Sequence, residues 1–239
     1  EIHGNLIGGT IPINPEQAEG YRRYFIKKYT RRNDESKVDY IGFDEEEFAL
    51  RSSLIDHGKE LVKRDLSYGS WGNLSVRLND SEMLITPSSM DYFDIKIEDI
   101  VKVNINTLEY GDGRYPSTEM RTHAKAYREL PDCKAMIQTR SNAISTFAAC
   151  EAGFALGEGE LQDLIGDIKV TGYEEPGSNA LANTVVSTLR DTHACIIPHH
   201  GAVFYGPSLE VVLAIAEAVE LKARNLLGFN NPITETEGE

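Results

Sequence analysis

Hydrophobic and polar positions follow two different periods along the first half of the chain. The segment DEEEFALRSSLIDHGKELVKRDL, from Asp44 to Leu66, repeats apolar residues every three or four positions. It also has acidic residues at its start and basic ones near its end, which predicts an amphipathic helix. The stretches that follow alternate or run apolar over a few positions, which is typical of strands. They read GNLSVRL, EMLITPS and DIVKVNINT.

The second half mixes the two patterns. Helical periods are predicted for STEMRTHAKAYREL, capped by Ser117 or Thr118, and for SNAISTFAAC, SNALANTVVSTLRD and the long SLEVVLAIAEAVELKARNLLG. Strands are predicted for AMIQT, DIKVTGY and the pair within ACIIPHHGAVFYG. Because strands and helices alternate irregularly, we expect an α/β fold with a central, largely antiparallel sheet flanked by helices.

The two ends of the chain differ from this pattern. Residues 1–45 are interpreted as an N-terminal extension that contains a basic aromatic stretch with Tyr21, Tyr24 and Phe25 and a polar linker. Residues 46–228 are predicted to form one domain, and residues 229–239 a C-terminal tail. The aromatic stretch favours an arm that packs on the domain or on a neighbouring subunit over a nucleic-acid or membrane contact, because the rest of the chain is acidic.

Charge and cysteine usage narrow the function classes. A net charge of −14 and a pI near 4.9 argue against a nucleic-acid partner. A phosphorylated small molecule stays possible, because a local site can differ from the global charge. No apolar stretch approaches the roughly 20 residues that span a bilayer, and no signal-peptide pattern is seen, so no membrane partner is expected. Cys133, Cys150 and Cys195 lack C-x-x-C spacing and are interpreted as reduced residues of a cytoplasmic protein.

Three hydroxyl-rich clusters follow predicted strands or begin a predicted helix. The helix start at Ser117 and Thr118 favours an anion through its backbone N–H groups and dipole. Each cluster alone is typical of turns and caps. If the fold brings them together, they form a neutral phosphate-binding site. Its candidate residues are Ser70, Asn73, Thr86, Ser88, Ser89, Ser117 and Thr118.

Three further polar groups stand near predicted strands or on the helix. His199 and His200 lie between an apolar strand and Gly201, so we expect at most one of them to enter a given site. Glu119 and His123 are four positions apart on one helix face, where a helix-surface hydrogen bond is the favoured interpretation. Gln138 and Arg140 stand at i and i+2 where the strand AMIQT breaks, a place where α/β proteins put their chemistry.

Four motifs in order resemble the class II aldolase/adducin family over roughly Glu46 to Gly228. They are GSWGNLSVR, LITPSS, PSTEMRTHAKAYRELPDCKAMI and PHHGAVFYGPSLEVVLAIAEAVE. The resemblance implies a three-layer α/β/α domain around a largely antiparallel sheet, usually a tetramer with active sites between subunits. Members are sugar-phosphate aldolases, epimerases, decarboxylases and dehydratases.

The resemblance also implies roles for single residues. It places the substrate phosphate on Ser70, Asn73, Ser88, Ser89, Ser117 and Thr118, with Ser89 standing where a glycine is usual. It makes Glu119 the catalytic base and a neighbour of the metal, and it makes His200 a zinc ligand. Two further zinc ligands, in an H-T-H or H-N-H pattern, are replaced here by Gln138 and Arg140.

This replacement argues against a tight metal. One imidazole, one carboxylate and a glutamine are a poor zinc site. The guanidinium stays charged in any protein. Two unit charges 4 Å apart interact by about 4 kcal/mol at an effective dielectric of 20, so a divalent ion beside Arg140 is repelled by roughly 8 kcal/mol. No cofactor is therefore favoured, and zinc or another divalent metal would have to use Glu119 and His200.

Arg140 instead offers a planar cation for a carboxylate or an enediolate-like oxygen pair, and it lowers the pKa of a base at Glu119. Gln138 joins the substrate-binding candidates. The family's aldolases take a protonating tyrosine from a loop, but the matching stretch EAGFALGEGELQDLIG has none. It carries Glu158, Glu160 and Asp163 instead. Decarboxylation, dehydration or epimerisation is therefore favoured over a conventional aldol cleavage.

The leading hypothesis is a lyase-type enzyme, a decarboxylase, dehydratase or aldolase, that acts on a small phosphorylated or acidic carbohydrate without a metal. Glu119, Arg140 and His200 are its candidate catalytic residues, and the resemblance implies a homotetramer. One alternative is a non-catalytic, adducin-like assembly or binding protein in which Glu119 and Arg140 form an inert pair. The other is a zinc-dependent sugar-phosphate aldolase with altered ligands.

Overall fold

The computed structural model describes residues 43–229 of the chain. The predicted N-terminal extension, with Tyr21, Tyr24 and Phe25, lies almost wholly outside the described residues, and so does the predicted tail beyond Phe229. The boundaries of the domain therefore stay predictions.

Six helices and seven strands make up residues 43–229. The helices are α1 (Glu45–Lys63), α2 (Met120–Glu129), α3 (Asn142–Ala149), α4 (Glu160–Ile165), α5 (Asn179–Leu189) and α6 (Leu209–Leu227). The strands are β1 (Asn73–Arg77), β2 (Glu82–Ile85), β3 (Val101–Asn104), β4 (Ala135–Thr139), β5 (Lys169–Val170), β6 (Ala194–Ile197) and β7 (Gly201–Gly206). A short 3₁₀ turn, Ile97–Asp99, precedes β3.

The strands form one sheet in the order β3-β2-β1-β4-β7-β6-β5. All neighbouring pairs are antiparallel except β5 and β6, so the expected largely antiparallel sheet is confirmed. β4 lies in the middle, where Gln138 stands opposite Asn73 on one side and Val203 on the other. All five residues of β4 are buried, as a central strand requires.

Helices cover both faces of this sheet, which confirms the three-layer α/β/α architecture. On one face, α2 and α5 pack on Met83, Ile85, Val103 and Met136 in a single buried cluster. On the other face, α6 contacts the central strands β4 and β7, and α3 contacts β7 and β6. Among residues 43–229, no helix combines the length and the apolar character that a membrane span needs.

A buried glutamate on α6 holds the junction between β4 and α3. Glu220 is 4% exposed, and its carboxylate accepts hydrogen bonds from the hydroxyl of Ser141 (2.6 Å) and from the backbone N–H groups of Ala143 (3.2 Å) and Ile144 (3.1 Å). It therefore satisfies the free N–H groups at the start of α3 from a different helix. Because Arg140 directly precedes this junction, Glu220 fixes the backbone on which Arg140 stands.

Three local predictions were wrong. α2 begins at Met120 with Glu119 as its N-cap residue, not Ser117 or Thr118, because the Ser117 hydroxyl accepts the Glu119 N–H (3.3 Å) and closes a turn before the helix. The stretch predicted as a loop after α3 contains the short helix α4, which starts after Gly159, a residue with φ 145°. The two neighbouring histidines lie in the turn between β6 and β7 and not on a strand.

Candidate active site

Glu119 lies at the centre of the candidate site and is 1% exposed. Three donors surround its carboxylate. The Thr122 hydroxyl lies 3.1 Å from Oε2, the Gly177 N–H 2.9 Å from Oε1, and His200 Nε2 3.4 Å from Oε1. A carboxylate that meets only donors accepts from all of them when it is ionised.

The pKa of Glu119 follows from two opposing effects. Burial raises it, because the charged form loses water. Hydrogen bonds from His200 and Thr122 act in the opposite direction and outweigh burial, so the pKa ends below its ordinary value. Glu119 is therefore ionised at neutral pH and is able to accept a proton.

Arg140 contacts this pair through His200. One guanidinium nitrogen lies 2.9 Å from His200 Nδ1 and 3.1 Å from Nε2. An ionised carboxylate only accepts, so His200 Nε2, 3.4 Å from Glu119 Oε1, carries a proton, and the neighbouring guanidinium charge disfavours a second proton on Nδ1. The result is a chain that runs from a permanent cation through a neutral imidazole to an anion. Burial lowers the pKa of Arg140, and the charge of Glu119 opposes that shift.

Trp71 also contacts the guanidinium. The Arg140 Cζ atom is 5.4 Å from the centre of the Trp71 ring, within the range of a cation–π contact. The ring is 57% exposed, so this contact lies at the outer edge of the site. His199 points elsewhere: it pairs with Glu151 at 3.3 Å on the surface. Of the two histidines, the structure therefore places only His200 beside Glu119, as expected.

Gln138 belongs to a buried hydrogen-bond chain. Its Oε1 accepts from Asn73 Nδ2 (2.8 Å), and its Nε2 lies 3.4 Å from the His200 carbonyl. Asn73 Oδ1 lies 2.6 Å from His123 Nε2, and His123 Nδ1 lies 2.6 Å from the Ser75 hydroxyl. The helix-surface bond between His123 and Glu119 was therefore a wrong prediction: His123 is fully buried and its ring nitrogens bond elsewhere. Burial lowers its pKa to about 4, partly opposed by the charge of Glu119.

The fold brings two of the hydroxyl clusters together. The segment after β2 runs beside the segment before α2, because the Ser117 N–H donates to the Thr86 carbonyl (3.1 Å) and the Ser88 N–H to the Tyr115 carbonyl (2.9 Å). The hydroxyls of Ser88 and Ser89 are 3.3 Å apart.

The remaining phosphate-binding candidates are placed differently. Ser70 is exposed in the loop before β1, and Thr118 is exposed at the start of α2. Asn73 is 5% exposed, and its amide nitrogen and oxygen are hydrogen-bonded to Gln138 and His123, respectively. Its side chain therefore belongs to the interior and not to an open surface.

The donor set does not fit zinc. Within residues 43–229, no three His, Cys, Asp or Glu side chains are grouped to hold a metal ion. Glu119 and His200 offer two ligands, but an Arg140 guanidinium nitrogen lies 2.9 Å and 3.1 Å from the two His200 ring nitrogens. A metal would have to displace a permanent cation and then remain beside it.

Sequence reasoning missed Gly177, whose backbone N–H donates to Glu119 from the loop before α5. Its φ is 72°, and a Cβ there would lie 2.8 Å from the Thr118 carbonyl oxygen, so only glycine fits comfortably. The Pro-Gly pair at residues 176–177 marks a turn, but nothing local indicates what its N–H contacts.

Comparison with known proteins adds a family to this geometry. The family model "Class II Aldolase and Adducin N-terminal domain" matches residues 52–227. The 5-methylthioribulose-1-phosphate/5-deoxyribulose-1-phosphate aldolase of Rhodospirillum rubrum is 32% identical over 174 residues, 72% of this chain and 77% of the relative. The 3-oxo-tetronate 4-phosphate decarboxylase of Pectobacterium atrosepticum is 28% identical over 73% of this chain and 82% of its own. The solved structure of an L-fuculose 1-phosphate aldolase superposes with a TM-score of 0.71 and 29% identity, covering 77% of this chain and 89% of that one.

Proposed function

The chain belongs to the class II aldolase and adducin family, and from that premise we propose that it is a lyase acting on a small phosphorylated sugar or sugar acid. Glu119 is the base, and Arg140 is the cation that stabilises the anion formed in the reaction. One observation carries this proposal. A buried, ionised carboxylate is joined through neutral His200 to a guanidinium at the place where a metal would otherwise supply positive charge.

The positive charge of Arg140 favours a reaction in which the breaking bond leaves a negative charge on a substrate oxygen. Loss of CO₂ from a 3-oxo acid leaves an enolate oxygen, and removal of a proton beside a carbonyl by Glu119 leaves the same kind of anion. A fixed guanidinium opposes that developing charge without reorganising. Arginine is a weaker electrophile than zinc, so a carboxylate leaving group or an acidic C–H is favoured. The decarboxylase among the relatives supports this choice, and so does the absence of tyrosine from residues 151–166.

The hydroxyls near the start of α2 are the proposed phosphate site. Ser88, Ser89, Ser117 and Thr118 lie on the two paired segments, and Ser70 contributes from the exposed loop before β1. The ten-residue helix α2 begins there, so the positive end of its dipole adds to the attraction for an anion. Asn73 takes part through Gln138, because both ends of its buried amide already have partners.

The test is turnover by metal-stripped protein. Protein washed with a chelator, with its metal content measured, is assayed for CO₂ release and for carbonyl products on phosphorylated 3-oxo sugar acids and phosphorylated ketoses. We expect activity without metal. Glu119→Gln should lower kcat by about 10²–10⁴-fold, as for loss of a general base. Arg140→Met should lower it by about 10²–10³-fold, as for loss of an anion-stabilising group.

The matched control compares substitutions at the two neighbouring histidines. His200→Gln should impair turnover, whereas His199→Gln should not, because His199 points to the surface. Activity that requires added zinc would overturn the metal-free proposal and favour an aldolase with altered ligands. A sugar phosphate that raises the melting temperature without being turned over would favour the non-catalytic binding alternative.

We further propose a cytoplasmic homo-oligomer, a tetramer by the family resemblance. Three free cysteines support a reducing compartment, and two of them, Cys133 and Cys195, are buried. Leu221 and Leu226 on α6 are 57% and 51% exposed, and they supply apolar surface for a subunit contact. Light scattering after size-exclusion chromatography tests this: a four-subunit mass is expected, and a monomer would overturn it.

A further inference from the structure

We propose that His123, which touches no substrate, is a positioning residue. It sets the direction of the buried hydrogen-bond chain so that Gln138 offers its N–H and not its carbonyl to the substrate oxygen that becomes negative. This inference rests on the proposed function and deepens it, since it adds a neutral donor beside Arg140. The chain consists of Tyr127, Ser75, His123, Asn73 and Gln138, all buried.

The proton position on His123, in the middle of the chain, sets the donor-to-acceptor direction of its hydrogen bonds. His123 Nε2 faces Asn73 Oδ1 at 2.6 Å, and an amide oxygen only accepts, so Nε2 carries the proton. Nδ1 of the neutral ring then carries a lone pair and accepts the Ser75 hydroxyl at 2.6 Å. The Ser75 oxygen is left to accept from the Tyr127 hydroxyl, also at 2.6 Å. The full burial of His123 supports the neutral ring, since a charged one would lose its water.

The proton position on His123 affects the candidate site through the side-chain amides of Asn73 and Gln138. Because Asn73 Oδ1 is held by His123, its Nδ2 must face β4, where it donates to Gln138 Oε1 at 2.8 Å. The Gln138 carbonyl is thereby turned inward. Its Nε2 lies toward the His200 carbonyl at 3.4 Å and keeps a second hydrogen without a partner in residues 43–229. The opposite arrangement would set two donors against each other and two carbonyls against each other, each of them buried.

Gln138 and Arg140 therefore present only donors. An N–H group next to a guanidinium suits a carboxylate or enolate oxygen and disfavours a group that must itself donate. This identifies the substrate group at this edge as an anionic oxygen and makes the orientation of Gln138 a determinant of specificity. Without His123, only the 3.4 Å contact between Gln138 Nε2 and the His200 carbonyl is left to fix which end of the Asn73 amide faces Gln138.

The hydrogen-bond direction is tested without substrate. Long-range ¹H–¹⁵N NMR of the wild-type protein is expected to show His123 as the neutral tautomer with the proton on Nε2. A proton on Nδ1, or a charged ring at pH 7, would overturn the inference whatever the reaction is. A wild-type protein that shows the expected tautomer but turns over no sugar phosphate would refute the proposed function only.

The link to Gln138 is tested by a double-mutant cycle. His123→Leu, Gln138→Leu and the double variant are compared in kcat and, as a substrate-independent measure, in affinity for malonate. If His123 acts through Gln138, His123→Leu lowers kcat about 10-fold or more, and the double variant is no worse than Gln138→Leu alone. Losses that multiply in the double variant would overturn the inference.

Controls separate positioning from general destabilisation. His193→Leu removes another histidine, whose Nδ1 lies 2.9 Å from the Leu164 carbonyl away from the site, and it should leave kcat unchanged. If His123→Leu fails to fold, His123→Gln is compared directly with Gln138→Leu, because the new amide can still donate to Asn73. This variant should retain more activity than Gln138→Leu, and equal loss in the two would contradict the inference.

Discussion

Glu220→Gln tests whether a buried charge on α6 holds the β4–α3 junction. The carboxylate meets only donors: the two backbone N–H groups and the Ser141 hydroxyl at the start of α3, and Arg224 Nε at 3.0 Å. An amide turns one acceptor into an NH₂ group that must face a donor. The loss is one charge-assisted hydrogen bond, about 1.5–3 kcal/mol, plus about 1–3 kcal/mol for a buried donor without a partner. We expect the free energy of unfolding to fall by about 3–5 kcal/mol.

The matched control is Glu217→Gln, one turn earlier on the same helix. Glu217 is 39% exposed and pairs with Arg64 at 2.6 Å, a surface ion pair worth at most about 1 kcal/mol. Both variants are unfolded in urea at pH 7, and the midpoints are compared at unchanged slope. Glu220→Gln should also lower kcat, because Arg140 loses its fixed backbone. Equal losses of stability in the two variants would refute the reasoning.

Three other changes follow from single contacts. Gly58→Ala should destabilise the protein by about 1–3 kcal/mol in urea unfolding, because the added Cβ would overlap the ring of Tyr92. Alanine favours helices, so a gain in stability would contradict this packing. Ser89→Gly should stabilise it by about 1 kcal/mol by the same assay, since Ser89 has φ 59°, while binding of inorganic phosphate weakens. His123 binds its proton with a pKa of about 4 when folded and 6.5 when unfolded. Stability should therefore fall as pH drops from 6.5 to 4, by up to about 3 kcal/mol, and His123→Gln should abolish that part of the pH dependence.

Much of the fold could be predicted because burial imposes a period on the sequence. AMIQT coincides with β4, and the apolar runs around the two histidines became β6 and β7. Elements with little buried surface were harder. α4 has one buried residue, Ile165, and its glycine-rich surroundings are typical of a loop. The two-residue strand β5 was predicted as DIKVTGY, which is longer than the pairing with β6 supports.

The candidate site was less predictable, because its contacts join distant parts of the chain. The spacing of Glu119 and His123 indicated a shared helix face, but not that His123 turns inward to Ser75. Gly177 contacts Glu119 through a backbone atom, which no side-chain pattern records. The proximity of Glu119 and His200 was expected only from the family resemblance, since local periodicity carries no information about pairs so far apart.

The pairing of β4 with β7 has a consequence for how the protein folds. The segment from β1 to β4, which includes α2, comes first along the chain and contains Glu119 and Gln138, with Arg140 directly after it. His200 lies between β6 and β7, 60 residues after Arg140. Closing such a non-local pairing is slow compared with forming helices and hairpins. A refolding chain should thus regain most of its secondary structure before its site exists. Ligand binding should recover later than the far-ultraviolet circular dichroism signal, so the site is among the last features of the fold to form.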